Sequence, residues 1–171
     1  MTTTEPFSKV HAMLAARRYK VAIRTLVEPE TGRLRPAYVS DINHAWYCVG
    51  DANFKLGNFE DAIHAFRKAA RADIEDVQCL IAIGNCYDEL GRPKFAERAF
   101  RKALELPSAG RTKASARVNL GNSLLDQKRY QESVEMFRPL RTRRDDIGRI
   151  ARANSKMALL AIKNSVSTTF W

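Results

Sequence analysis

The sequence is poor in the residues that most often carry chemistry. Three cysteines occur in 171 residues. The odd count gives no disulfide framework, and Cys48, Cys79 and Cys86 form no C-x-x-C pair. Cys79 and Cys86 stand seven apart on one predicted helix, on a face that packs, so they read as buried structural thiols rather than ligands or nucleophiles. The three histidines, His11, His44 and His64, are scattered over different helices, and no H-E-x-x-H, G-x-S-x-G or phosphate-cradling glycine loop occurs. Asp145–Asp146 reads as a helix start rather than a catalytic pair. The expectation is therefore no catalytic residue, no metal and no cofactor.

Long apolar stretches are missing too. The longest fully apolar run is Met157–Ile162, far short of the ~20 residues that cross a bilayer. Met1–Glu5 has neither the basic start nor the apolar stretch of a secretory signal. Together with the cysteine usage, this predicts a reduced, cytoplasmic protein without a membrane span.

What is abundant is positive charge, and it is unevenly placed. The formal net charge is +10. Residues 1–42 carry +3, residues 43–110 carry −1 and residues 111–171 carry +8. The densest part is Arg138, Arg141, Arg143, Arg144, Arg149 and Arg152. Such an end either keeps the molecule soluble or docks an acidic protein surface, nucleic acid or membrane headgroups. Stacking on single strands needs exposed aromatics among the arginines, and residues 138–152 contain none.

The chain also repeats itself. Gly50, Gly84 and Gly121 are separated by 34 and 37 residues, and the same intervals separate Phe66, Phe100 and Phe137. Ala62, Ala96 and Ser133 share that register, as do Phe59, Pro93 and Tyr130, and Ala69, Ala103 and Leu140. Five columns in one register define a repeat protein. Within a unit, Trp46, Val49, Gly50 and Asn53 fall at helical intervals, and Gly57 breaks the helix where positive φ is useful. Phe59, Ala62, Ile63, Phe66 and Ala69 then recur in steps of three and four as a second amphipathic helix. Small residues let two antiparallel helices approach, aromatics fill the space around them, and successive pairs must stack to bury their apolar faces.

In order and spacing, Trp46, Val49, Gly50, Gly57, Phe59, Ala62, Phe66 and Ala69 resemble the tetratricopeptide repeat. Leu80, Ile83, Gly84, Tyr87, Gly91, Ala96, Phe100 and Ala103 repeat the pattern, with Pro93 where an aromatic is usual. In the third unit Leu120, Gly121, Leu124, Tyr130, Phe137 and Leu140 fit, while Arg117, Lys128 and Ser133 replace an apolar residue, the turn glycine and an alanine. The resemblance implies an all-α, right-handed superhelical solenoid of antiparallel helix pairs. Tyr19, Ala22, Ile23 and Leu26, 40 residues before Phe59, Ala62, Ile63 and Phe66, extend it into a degenerate first unit. The expected layout is one domain, with a degenerate repeat over 4–27, a connection over 28–42, repeats over 43–76, 77–110 and 114–147, and a capping helix over 148–164. Pro29, Gly32 and Pro36 make the first connection irregular, and Pro107 and Gly110 interrupt the chain before the last repeat. On the capping helix, Ile150, Ala153, Met157, Leu160 and Ala161 form the face expected to cover the stack.

The resemblance further implies a concave groove lined by the first helix of each pair. It places there Tyr47, Asp51, Phe54 and Lys55, then Ile81, Asn85, Asp88 and Glu89, then Val118, Asn119, Asn122 and Asp126. Asparagine amides suit a peptide backbone, Tyr47 and Phe54 supply apolar area, and the four acids favour a partner of basic or amide-rich character. Some subfamilies clamp the C-terminal carboxylate of chaperones. Asn85 and Asn119 stand at two of those places, but Ile81 replaces a lysine of the clamp, which argues against that ligand. The function so read is a non-catalytic adaptor binding a protein or peptide partner. The alternatives are a secretion-type chaperone of the same repeat class and a nucleic-acid or regulatory binder using the basic end. The terminal Phe170 and Trp171 either fold back over the last helix or pack against another subunit as a homodimer.

Overall fold

The computed structural model describes residues 6–108 and 110–167. Phe170 and Trp171, and with them the homodimer reading, lie outside the described residues, as does the segment 1–5. The described chain is all-α: α1 Ser8–Ala15, α2 Tyr19–Leu26, α3 Ile42–Lys55, α4 Phe59–Ala72, α5 Val77–Glu89, α6 Pro93–Glu105, α7 Gly110–Asp126, α8 Tyr130–Phe137 and α9 Asp146–Ser167. No helix among the described residues is long and apolar enough to cross a membrane. The chain divides inside α5 into two compact units, Met1–Cys86 and Tyr87–Trp171.

In the first unit α1 packs on α2, α2 on α3 and α3 on α4. One core joins Phe7, Val10, Ala22 and Leu26 to Ala45, Cys48, Val49 and Ala65. The segment between α2 and α3 is more ordered than its prolines and glycine suggest. An isolated antiparallel bridge pairs Val27 with Leu34, a 3-10 turn spans Pro36–Asp41, and Tyr38 is buried against Phe7 with ring centroids 5.4 Å apart. Trp46 is half-buried beneath Lys68, whose Nζ lies 3.8 Å from the ring centroid. In the second unit α6 packs on α7, α7 on α8, and α9 on both α7 and α8.

The repeat columns acquire a physical meaning at Gly50 and Gly121. A Cβ on Gly50 would lie 2.6 Å from the ring of Phe66, and one on Gly121 would lie 2.6 Å from the ring of Phe137. Both rings are buried, so glycine here lets a phenylalanine of the second helix pack directly against the backbone of the first. Ser133, in an alanine column, is also buried. Its hydroxyl donates to the Gly121 carbonyl at 2.7 Å, so burial leaves it no unmet hydrogen bond.

The turn inside each helix pair recurs with one geometry. Arg17, Gly57, Gly91 and Lys128 all have positive φ, between 58° and 80°. At each, the following residue donates to the carbonyl five back: Arg18 to Met13 (2.8 Å), Asn58 to Asn53 (3.0 Å), Arg92 to Tyr87 (2.8 Å) and Arg129 to Leu124 (2.9 Å). The positive-φ residue itself donates three back, which completes a Schellman cap. Arg17 and Lys128 hold this left-handed conformation without the freedom of glycine. Pro93 opens α6 at its first turn, where its missing N–H has no intrahelical partner to lose.

Helix α9 differs from expectation. Its buried residues include Ile147, Gly148, Ala151, Ser155 and Ala158, whereas Ile150, Met157 and Leu160 are exposed, Met157 at 57%. The face read as the cover therefore points outward. Asp145 accepts from the Gly148 N–H at 3.0 Å, and a Cβ on Gly148 would lie 2.1 Å from the Arg143 carbonyl oxygen. These first-turn contacts and the packing of Ile147, Ala151 and Ala158 toward α7 and α8 go with that rotation. Asp145 is a helix cap, as its sequence predicts, and the Arg143 guanidinium beside it brings its carboxyl down to about 2.

The left-handed conformation costs a residue with Cβ about 1–2 kcal/mol, against about 0.5–1 kcal/mol of extra chain entropy that glycine loses. Arg17→Gly and Lys128→Gly should therefore each raise stability by about 0.5–1 kcal/mol in urea denaturation, and Gly57→Ala should lower it. Gly50→Ala and Gly121→Ala should each cost about 1–3 kcal/mol through overpacking. Neutral alanine variants would dismiss the ring-on-backbone contact.

Candidate functional site

Helix α3 starts at a firm cap, with the Asp41 carboxylate accepting from the His44 N–H at 3.0 Å. It is fixed to the start of α5 through Asn43, whose amide donates to Asp76 Oδ2 at 2.9 Å. Asp76 also accepts from the Cys79 N–H and from its thiol. Burial would raise the Asp76 carboxyl, but these hydrogen bonds outweigh it and hold the group below its ordinary value. Buried Cys79 is correspondingly pushed well up and stays a thiol. Cys86 is buried as well, so both cysteines fit the structural reading.

On this scaffold Tyr47, Asp51, Phe54 and Lys55 from α3 meet Ala82 and Asn85 from α5 around a cavity of about 150 Å³, with Phe66 also in its wall. Tyr47 meets Phe66 edge-on at 5.3 Å, and the Lys55 ammonium lies 5.7 Å from the Phe54 ring centroid. Burial first, then the Asp51 charge, pushes the Tyr47 phenol up to about 12. It therefore remains a neutral hydroxyl, able to donate and accept. Small-molecule sites usually enclose ~300–1,000 Å³, so this cavity has the size for a side chain rather than a metabolite. Ile81, expected on the same wall, is buried at 7% exposure and offers no surface.

The second unit holds its own polar face. Asp88 accepts from the Ser123 hydroxyl at 2.9 Å. Burial pushes the Asp88 carboxyl up to about 6 against the Ser123 hydrogen bond, and the charges of Asp126 and Glu89 add to the rise. Asn122 accepts from the Asn154 amide of α9 at 2.7 Å, a partner invisible to the repeat pattern. Asn119 is half-buried, while Glu89 and Asp126 are exposed. Val118 packs with Phe137, Leu140 and Ile147 and leaves the surface.

The basic end is partly neutralised from within. Arg138 pairs with Glu135, and Arg143 with Asp145. Arg152 donates to the main-chain carbonyls of Arg141 (2.8 Å) and Arg143 (2.7 Å), which ties α9 to the segment before it. Arg141, Arg144 and Arg149 are exposed. Elsewhere in this unit Glu97, with its side chain 14% exposed, takes hydrogen bonds from both Arg101 and Arg129, and both arginines also pair with Glu132.

The histidines do not stay scattered. His11 of α1 and His44 of α3 meet with their Nε2 atoms 2.8 Å apart, and His44 Nε2 lies 3.7 Å from the Cys48 sulfur. The visible signal was the spacing of His44 and Cys48, four apart on one helix.

Comparison with known proteins accords with the helix pairs and their turns. Family profiles described as tetratricopeptide repeat match residues 41–109 and 114–144. The chain belongs to the tetratricopeptide repeat family. No curated protein sequence matches it. Among solved structures, the tetratricopeptide repeat protein YrrB, described as having an unusual peptide-binding site, is similar at TM-score 0.62 and 21% identity, over 92% of this chain and 73% of that one. Two MamA structures are similar at 16% identity: one at TM-score 0.62 over 97% of this chain and 91% of that one, the other at 0.58 over 95% and 79%. At these identities the likeness concerns the fold.

A carboxyl whose folded value is raised stabilises the protein fully below its unfolded value and loses that contribution as pH rises through the folded one. For Asp88 the window runs from about 3.8 to about 6. Asp88→Asn, which keeps an oxygen for Ser123, should stabilise the protein at pH 7 and flatten the stability profile across that window. A shift of this size is worth at most about 3 kcal/mol, and partial exposure reduces it to about 1 kcal/mol. Thermal melting at pH 4 and pH 7 checks this. An equal loss of stability at both would mean that the aspartate serves only as a hydrogen-bond acceptor.

Proposed function

We propose that the protein is a non-catalytic adaptor that holds a segment of a protein partner against the α3–α5 face bearing Tyr47, Asp51, Phe54, Lys55 and Asn85. The observation that carries this reading is the cavity of about 150 Å³ with three aromatic rings, a carboxylate, an ammonium and an amide in its wall. It has the dimensions of one side chain, with polar groups at its rim to engage an extended backbone. Membership of a repeat family built for protein contacts is consistent with it, and so is the peptide-binding site named for YrrB.

The preferred segment presents an apolar or aromatic side chain beside a basic one. The cavity wall gives the first its contact area, and Asp51 supplies charge complementarity to the second. In the second unit Asp88, Glu89 and Asp126 crowd closely enough for the charges of the last two to raise the first, which adds a further patch favouring cations.

A nucleic-acid surface at the basic end has less behind it. Three of its six arginines are engaged by Glu135, Asp145 and main-chain carbonyls, and these contacts supply a structural reason for the charge.

The test is capture of host proteins on immobilised full-length chain, followed by identification of the bound segment. Tyr47→Ala with Asn85→Ala should weaken that segment at least tenfold while helicity and melting show a folded protein. Asp51→Lys should discriminate against basic segments in particular. Unimpaired capture by both variants would sink the assignment of this face.

A further inference from the structure

A second constellation lies apart from the proposed peptide face. His11 on α1 and His44 and Cys48 on α3 bring two imidazole nitrogens and a sulfur together, with the three donor atoms within 4.8 Å of one another. They converge beside a cavity of about 420 Å³ lined by Pro6, Phe7, His11, Ser40, Asp41 and His44. His44 and Cys48 are four apart, so one helix face presents both, and α1 supplies the third donor from across the helix packing.

The surroundings hold these groups in place. The Asp41 cap fixes the first turn of α3 on which His44 stands. Phe7 meets the His44 ring edge-on at 4.6 Å and lies along the His11 ring at 6.3 Å. Cys48 is buried, and its sulfur faces His44 Nε2 at 3.7 Å.

We propose that His11, His44 and Cys48 form a three-ligand site for zinc, with a fourth position open to the cavity. Two imidazoles and a thiolate are ligands that zinc favours, and three protein ligands with one open position are a known arrangement for it. Zinc–nitrogen bonds of about 2.0–2.1 Å at the tetrahedral angle set two nitrogens about 3.3 Å apart, and a nitrogen and a sulfur about 3.6 Å apart. The observed 2.8 Å between nitrogens is shorter than this, the 3.7 Å to sulfur is close to it, and His11 lies within 4.8 Å of Cys48, so one imidazole must shift on binding. His11 is exposed and has room to do so. On binding, the Cys48 thiol gives its proton to solvent and ligates as the thiolate, and each imidazole ligates as the neutral tautomer that carries its proton on Nδ1 and leaves Nε2 free for the metal. Asp41, on the cavity wall, favours a dication there through its charge. The ion would staple α1 to α3 and so fasten the first helix pair to the rest of its unit.

The experiment uses the full chain, reduced and metal-free. Zinc should bind with one-to-one stoichiometry and raise the melting temperature. Cobalt(II) in its place should show a near-ultraviolet thiolate charge-transfer band. Cys48→Ser should abolish that band. His11→Ala, a change at an exposed position, should weaken zinc by about 100-fold or more, since even partners outside the ligand shell are worth 10–100-fold. A cobalt spectrum without the thiolate band, a band that survives Cys48→Ser, or zinc affinity unchanged in His11→Ala would each overturn the site. The last result would leave the two histidines as a hydrogen-bonded packing contact.

Discussion

The close contact between a phenylalanine ring and a glycine backbone is the constraint on which the α3–α4 and α7–α8 pairs depend. At Gly50 and Gly121 the first helix has no side chain, and the rings of Phe66 and Phe137 occupy that space. This contact sets the separation of the two helices, and the separation decides which neighbouring side chains are buried. Tyr47 stands one turn from Gly50 and meets the same Phe66 ring edge-on. The ring that closes the pair is therefore also part of the cavity wall. Packing and the proposed recognition would share one side chain, so that a structural repeat can shape a site with few specialised residues.

Much of this was legible in the sequence, for a physical reason. A contact that admits only glycine on one side and favours a large flat ring on the other leaves residue types at fixed intervals, and the columns of Gly50 and Phe66 reported it directly. The turns were half legible. Gly57 and Gly91 announced a left-handed residue, but Arg17 and Lys128 adopt the same conformation with side chains that give no sign of it. There the cap is imposed by the helices on either side. Side chains such as Ile81 and Val118 were assigned to a surface by register, yet burial depends on what the adjoining helices cover, and register says nothing about that.

The remaining differences come from contacts between segments of no fixed spacing. Helix α9 carries an apolar stripe that reads as a packing face, but its rotation goes with the Asp145 cap, the approach of Gly148 to the Arg143 carbonyl and the packing of the opposite face on α7 and α8. His11 and His44 lie 33 residues apart, with an irregular connection of unknown path between them as far as sequence is concerned. Only the folding of that connection onto Phe7 through Tyr38 brings them together. The arginines of the basic end likewise looked like one surface, although several of them are ligands of the chain's own carboxylates and carbonyls.

The rotation of α9 has a consequence for how the molecules behave in company. Ile150, Met157 and Leu160 are exposed, while the opposite face of the helix packs on α7 and α8. Arg149 and Lys156 stand exposed beside that stripe, and like charges on approaching molecules hold two such stripes apart. Colloidal stability then rests on electrostatic repulsion more than on a wetted surface, and ionic strength becomes the variable that governs it.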